Sequence, residues 1–297
     1  MPVAVNGGVR INFETVGPDD GDLVILVAGL GQQIGDVEFP EEHAALFAAA
    51  GFRVALVDNR DAGLSTSFDA FGRPALEPLF AAAFAGEPIP LPYSFVDMAD
   101  DIIAVADALN AREVHLVGAS LGGWLVRWAA LRHHDRVRSL AIVMSGSGAD
   151  PSDDAPQLEM EGFDELFKIA GRRSRDEHIA FMVEQWRRDW GSFEFNEPWV
   201  REHVAQSFDR TYRPDGVYRQ LIAGFGSAGL WHAQRSIAAP TLVIHGTEDQ
   251  VFPVEHGEAT AAQIPGAAMW RVSGMGHAMA PELWAEMVER IGKVASR

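Results

Sequence analysis

Ser120 stands in the run Gly118-Ala119-Ser120-Leu121-Gly122, which has the form G-x-S-x-G. An apolar run, Val114-His115-Leu116-Val117, leads into it, and a helix-like stretch, Gly123 to Trp128, leads out. A serine on so sharp a strand-to-helix turn presents its hydroxyl above a sheet, and only small residues fit around it. The following helix aims free N–H groups and a partial positive charge at the same spot, so Leu121 is placed to donate its N–H to an oxyanion. A serine hydroxyl is a weak nucleophile until a neighbouring base takes its proton. His277, in the glycine-flanked loop Ser273-Gly274-Met275-Gly276-His277, is the candidate base. Asp249, just past the apolar run Thr241 to His245, is the candidate acid that orients it. Glu248 is set aside because consecutive turn residues point apart. Asp150, beyond Met144, is the alternative acid, but it lies several residues past the end of its strand.

These side chains need a frame. Val9 to Glu14 alternates as a half-buried strand, and Leu23–Val27, Phe52–Val57, Leu140–Met144 and Thr241–His245 are short apolar runs, as in strands covered on both faces. A last strand is predicted at Ala268–Val272. Helices are predicted from Glu41 to a stop at Gly51, from a Ser94 cap through Phe95, Met98, Ile102, Val105 and Leu109, and from 253 to Ile264. The pattern changes between residues 149 and 235: strand runs disappear, and helical stretches carry four of the eight tryptophans together with Phe163, Phe167, Phe181, Phe208 and Tyr212. The expected organisation is therefore a core of residues 1–148 and 236–297, interrupted by a helical lid over 149–235. Most of the lid aromatics are expected to pack its own core and a minority to face substrate. The proline-rich connection 67–93, with apolar residues Leu79 to Phe84 at its middle, is either one wall of a site or a surface excursion.

Composition narrows the chemistry. The chain has 297 residues, no cysteine and a net charge of −18. Disulfides, thiolate nucleophiles and cysteine metal sites are excluded. The acidic balance argues against nucleic acid and against strongly anionic substrates. No apolar run approaches the length of a membrane span, and the start lacks a basic region followed by an apolar core, so a cytoplasmic protein is expected. Adjacent His133 and His134 point in different directions on a helix and read as a solvated end, not a metal site. Arg60 and Asp61 read as a structural pair shaping their loop.

The order Ser120, Asp249, His277, the loop Val57-Asp58-Asn59-Arg60-Asp61-Ala62-Gly63-Leu64-Ser65, and the runs Leu131 to Val137, Pro240 to Ile244 and Gly274 to His277 resemble the α/β-hydrolase superfamily. Within it they are similar to the aclacinomycin methylesterase-like esterases. The resemblance implies an α/β-hydrolase fold: a mostly parallel sheet flanked by helices, with an inserted lid. It also implies a carboxylic-ester hydrolase without cofactor or metal, acting on a small molecule as a monomer or homodimer. It places the second oxyanion-hole N–H at Leu30, in Ala28-Gly29-Leu30-Gly31, where the family commonly begins with histidine. A lactonase, a carbon–carbon bond hydrolase or a cofactor-free perhydrolase shares this arrangement, and so does a ligand receptor of the same fold. A serine at position 120 disfavours dehalogenase and epoxide hydrolase chemistry, which needs aspartate there. Uncharged, fairly apolar esters are the expected substrates, with Arg187, Arg188, Arg210, Arg213 and Arg219 as the residues able to reverse that preference by binding an acid group.

Overall fold

The computed structural model describes residues 2–76, 78, 79, 82, 90–150, 153–157, 166–224 and 227–296. Eight strands form one sheet in the order β1-β2-β4-β3-β5-β6-β7-β8. They are β1 (Val3–Asn6), β2 (Val9–Val16), β3 (Leu23–Val27), β4 (Arg53–Val57), β5 (Val114–Ala119), β6 (Val137–Val143), β7 (Thr241–Gly246) and β8 (Ala268–Val272). β3 to β8 run parallel, whereas β2 pairs antiparallel with both β1 and β4. The sequence reading began the sheet at Val9 and missed β1. Its four residues are too few for a periodic signal; what makes them a strand is the Gly7-Gly8 turn, with φ of +55° and +89°, which folds them back onto β2.

The parallel strands are buried on both faces, as continuous apolar runs require. Ile25, Val27, Ala55 and Leu116 face one way and pack on α2 (Phe95–Ala108), α3 (Leu121–Arg132) and the end of α8 (Glu255–Gln263). Val24, Leu26, Val54 and Leu56 face the other way and pack on α1 (Glu41–Ala49) and α9 (Pro281–Ala295) through Phe47, Trp284, Met287 and Ile291. α2 begins on a complete capping box: the Ser94 hydroxyl accepts the Asp97 N–H, and the Asp97 carboxylate accepts the Ser94 N–H at 2.7 Å.

Between β6 and β7 lie α4 (Arg175–Asp189), α5 (Glu197–Arg210), α6 (Pro214–Ala223) and the single turn α7 (Leu230–Ala233). Among the described residues none of this segment joins the sheet, apart from an isolated bridge between Gly191 and Met275. α4 and α5 bury Ile179, Met182, Val183, Trp186, Trp190, Val200 and Val204 together, so two of the tryptophans flagged in the sequence serve this small core. Phe163 and most of the stretch 77–89 lie outside the described residues.

Buried charge fastens these helices to the sheet. Arg60 and Asp61 do not pair with each other, contrary to the sequence reading, because neighbouring turn residues diverge. The Arg60 guanidinium binds Asp101 of α2 at 2.6 and 2.7 Å. Asp61 instead accepts two bonds from Arg219 of α6, at 2.7 and 2.8 Å, and one from the Tyr93 hydroxyl at 2.7 Å. Both side chains of the Asp61–Arg219 pair are fully buried. Asp58 likewise holds Arg210 of α5 at 2.8 Å, together with the N–H groups of Ile34 and Leu64. Removing one member of a buried pair strands the other charge without solvent. Arg219→Met should therefore lower stability by about 3–5 kcal/mol. Chemical denaturation with a fluorescence readout checks this, and a loss below about 1 kcal/mol would show that Asp61 does not depend on Arg219.

Candidate active site

Ser120 sits at the end of β5 in a left-handed backbone conformation, φ +52° and ψ −119°. A side chain at this angle is strained, and strain of this kind persists only where the surroundings enforce it. They do so here by close approach. A Cβ on Gly122 would lie 2.0 Å from the Val27 carbonyl oxygen, and one on Gly118 would lie 2.3 Å from that of Gly122. Only glycine lets the helix start this close to β3.

The loops after β5, β7 and β8 bring three side chains into one hydrogen-bonded chain. The His277 Nε2 is 3.0 Å from Ser120 Oγ, and its Nδ1 is 2.9 Å from Asp249 Oδ2. An ionised carboxylate only accepts, so Nδ1 carries the proton and Nε2 is left to accept from the serine hydroxyl. The other carboxylate oxygen, Oδ1, accepts the N–H groups of Val251 and Phe252 at 2.9 and 2.8 Å. A second histidine, His245 at the end of β7, approaches Oδ2 at 3.3 Å while bonding the Phe252 carbonyl at 2.7 Å. Burial by itself would raise the Asp249 pKa, but His277 and His245 outweigh it and hold the carboxyl well below the usual range. Burial would likewise lower the His277 pKa, yet the charge and hydrogen bond of Asp249, with further help from Asp189 and Glu38, raise it above 6.5.

Neither rejected carboxylate reaches His277. Asp150 accepts the Gly229 N–H at 2.9 Å, and Glu248 binds the Ser192 hydroxyl at 2.7 and 2.8 Å. The loop Gly29-Leu30-Gly31 is pinned on both sides of Leu30. Gly29 N–H donates to Glu38 at 2.6 Å and Gly31 N–H to Gln220 of α6 at 2.9 Å. Between them the Leu30 N–H finds no acceptor among the described residues. Leu121 is the first residue of α3, and its N–H has no intrahelical acceptor.

Ser120 and His277 open into a cavity of about 250 Å³, with Leu30, Met182 and Trp186 among its apolar walls. Of the five arginines noted in the sequence, only Arg188 lines it, and that guanidinium is engaged by Asp189 at 3.4 Å and by Gln185. Arg187 pairs with Glu197, and Arg213 donates to the Ser65 carbonyl at 3.1 Å. His133 is half-buried against Asp100 at 2.8 Å, not freely solvated. Among the described residues no group of three His, Asp or Glu side chains converges to hold a metal ion, and no helix is long and apolar enough to cross a membrane.

Sequence reasoning missed Glu38, Asp189 and His245. Glu38 and Asp189 line the cavity, whereas His245 stands behind Asp249. Glu38 lies in Asp36-Val37-Glu38-Phe39-Pro40, where two acids alternate with buried apolar residues. That alternation was the available signal, but nothing in it says that the loop folds back onto Gly29.

The α/β-hydrolase fold family matches residues 22–282. The chain belongs to the α/β-hydrolase fold family. It is 28% identical over 280 residues to a rhodomycin D methylesterase of Streptomyces sp. strain C5, covering 88% of this chain and 86% of that one. It is 26% identical over 291 residues to a 2-hydroxy-6-oxononadienedioate/2-hydroxy-6-oxononatrienedioate hydrolase of Burkholderia vietnamiensis, covering 96% and 89%. An esterase structure from Exiguobacterium antarcticum superposes with a TM-score of 0.77 over 99% of this chain and 98% of that one, at 22% identity. Membership makes the protein a hydrolase by family.

Glu38 carries a thermodynamic signature. Burial pushes its carboxyl up from 4.5 to about 7, against the pull of the Gly29 N–H and of His277. The folded protein thus holds a proton that the unfolded chain releases between those two values, and stability falls as pH rises through that window. Above it the full cost is about 3 kcal/mol. Glu38→Gln keeps an acceptor for Gly29 and removes the charge. The variant should melt higher than the parent at about pH 8 and close to it at about pH 4.5. Scanning calorimetry at both pH values checks this; a variant less stable at the higher pH would contradict it.

Proposed function

We propose that the protein is a serine hydrolase of carboxylic esters. The observation that carries this reading is the continuous Ser120–His277–Asp249 hydrogen-bond chain opening into a largely apolar cavity. Ser120 attacks the acyl carbonyl as His277 Nε2 takes its proton. Asp249 keeps His277 in the tautomer that accepts from serine and stabilises the imidazolium that forms. The N–H groups of Leu30 and Leu121 bind the oxyanion, each worth about 2.7–4 kcal/mol in sites of this kind. The imidazolium then protonates the departing alcohol, and His277 activates a water to release the acid from Ser120. Residues 149–235 act as a lid over a core of residues 1–148 and 236–297, with α4 supplying Met182 and Trp186 to the substrate. The name of the Streptomyces relative supports ester cleavage. The Burkholderia relative, matched over 96% of this chain, supports a second reading in which the same residues hydrolyse a substrate of the kind its name describes. Product analysis with a linear ester, a lactone and a 2-hydroxy-6-oxo dienedioate separates these.

Ser120→Ala should leave less than about a hundredth of the parent kcat, since loss of a triad serine costs up to ~10⁶ in a well-studied protease. Asp249→Asn should be severely impaired and Asp150→Asn near normal; the reverse pattern would move the acid to the other loop. The two substitutions need only one p-nitrophenyl ester assay.

His277 works as a base only when neutral. Its pKa is raised, so the protonated fraction grows as pH falls through a value above 6.5. The kcat/KM profile should therefore lose activity on its acid side with a midpoint above 6.5. In Asp249→Asn the residual activity should show that midpoint shifted down, because the charge that raises it is gone. A midpoint that does not move would separate Asp249 from His277 in function.

A further inference from the structure

Glu38 reaches the cavity from the loop between β3 and α1, anchored by Val37 and Phe39, which are 3% and 4% exposed. One carboxylate oxygen, Oε2, accepts the Gly29 N–H. The other, Oε1, makes no hydrogen bond among the described residues, and the side chain lines the same cavity as Ser120 and His277. The position is close to the nucleophile. A Cβ built on Gly29 would meet Glu38 Oε1 at 2.7 Å and Ser120 Cβ at 3.0 Å, so the carboxylate and the serine flank a single Cα.

Among the described residues no cationic side chain bonds this group. Three buried acids that anchor loops and helices each have a fixed cationic partner: Asp58 has Arg210, Asp61 has Arg219 and Asp101 has Arg60. Glu38 has a single backbone N–H and, at a distance, the triad histidine. A carboxylate confined this way destabilises the fold unless something it binds compensates. A neutral acceptor such as glutamine would hold Gly29 as well. Among the described residues that line the cavity, the remaining ionisable groups are Asp189 and Arg188 on α4, which face each other, and His277. Asp36, also buried in the Glu38 loop, is taken up by the Ser207 hydroxyl and the Val37 N–H.

We propose that Glu38 is a specificity-determining residue that binds a protonated amine on the substrate, a few bonds from the scissile carbonyl, so that amino-bearing esters are the preferred class. This rests on the ester-hydrolase reading above. The ammonium would sit between Glu38 Oε1 and the nucleophile, giving the carboxylate the charge-assisted partner it lacks. The net charge of −18 draws cations toward the same cavity mouth.

The test uses two esters that differ in one group: the p-nitrophenyl esters of β-alanine and of butanoic acid, in which an ammonium replaces a terminal methyl. Each is measured with the full-length parent and with Glu38→Gln, and the intrinsic reactivity difference cancels when the two proteins are compared. The ratio of kcat/KM for the amino ester over the butanoyl ester should fall at least about tenfold in the Gln variant, mostly through KM. In the parent alone, β-alaninamide should inhibit butanoyl ester hydrolysis competitively at concentrations where butanamide does not. A ratio that is the same in both proteins, or equal inhibition by the two amides, overturns the assignment while leaving the esterase intact. Absence of turnover of both esters by the parent, with no labelling of Ser120 by a fluorophosphonate, overturns the hydrolase reading and this one with it.

Discussion

The constraint on which this molecule depends is that three loops from three strands must end at the same height. A hydrogen-bond chain tolerates only a few tenths of an ångström, and its serine stands 157 residues from His277, which stands 28 from Asp249. The parallel ladder supplies the alignment. Ala119 pairs with Val143, Val143 with Ile244, and Gly246 with Val272, so the strands bearing the serine, the acid and the histidine finish nearly level. The strain at Ser120 is then imposed by the sheet itself, since β3 approaches α3 so closely that the carbonyl of Val27 leaves no room for a Cβ at Gly122. A slip of one residue in any of these pairings would turn a strand over and remove its loop from the site.

What could be seen in the sequence follows from how local each signal is. Buried parallel strands announce themselves as apolar runs, and a serine between glycines at a strand end announces its turn, so Ser120, Asp249 and His277 could be picked out by type and position, and they do meet. Partners set by distant residues left no such trace. Arg60 and Asp61 were matched to each other because they are adjacent, whereas their partners are 41 and 158 residues away. β1 escaped because four residues carry no period. His245 looked like part of an apolar strand, and only the return of the loop to Asp249 makes it a second imidazole on that carboxylate.

The same buried charge that fixes the helices over the sheet marks out Glu38 as different. Asp61 and Arg219, or Asp58 and Arg210, are closed pairs: both charges are made and satisfied within the chain, and their role is to hold α5 and α6 in place. Glu38 is an open half-pair. Its position beside Ser120 also bears on the proposed reaction, in which charge appears there twice over, positive on His277 and negative on the oxyanion. A permanent carboxylate would help the first and oppose the second.

Under the proposed preference for amino-bearing esters, an amine on the substrate resolves that conflict. Burial drives Glu38 toward its neutral form, with a pKa of about 7. An ammonium arriving beside it favours the ionised form, and the proton leaves to solvent. On the proposed ester-hydrolase reading the carboxylate charge is then present only together with a cation that cancels it, so an oxyanion bound by Leu30 and Leu121 would develop beside a neutral pair and not beside a lone negative charge. A substrate without the amine meets a neutral carboxyl below that pH and an uncompensated carboxylate above it. Discrimination between the two classes should accordingly widen as pH rises, even though His277 becomes a better base for both.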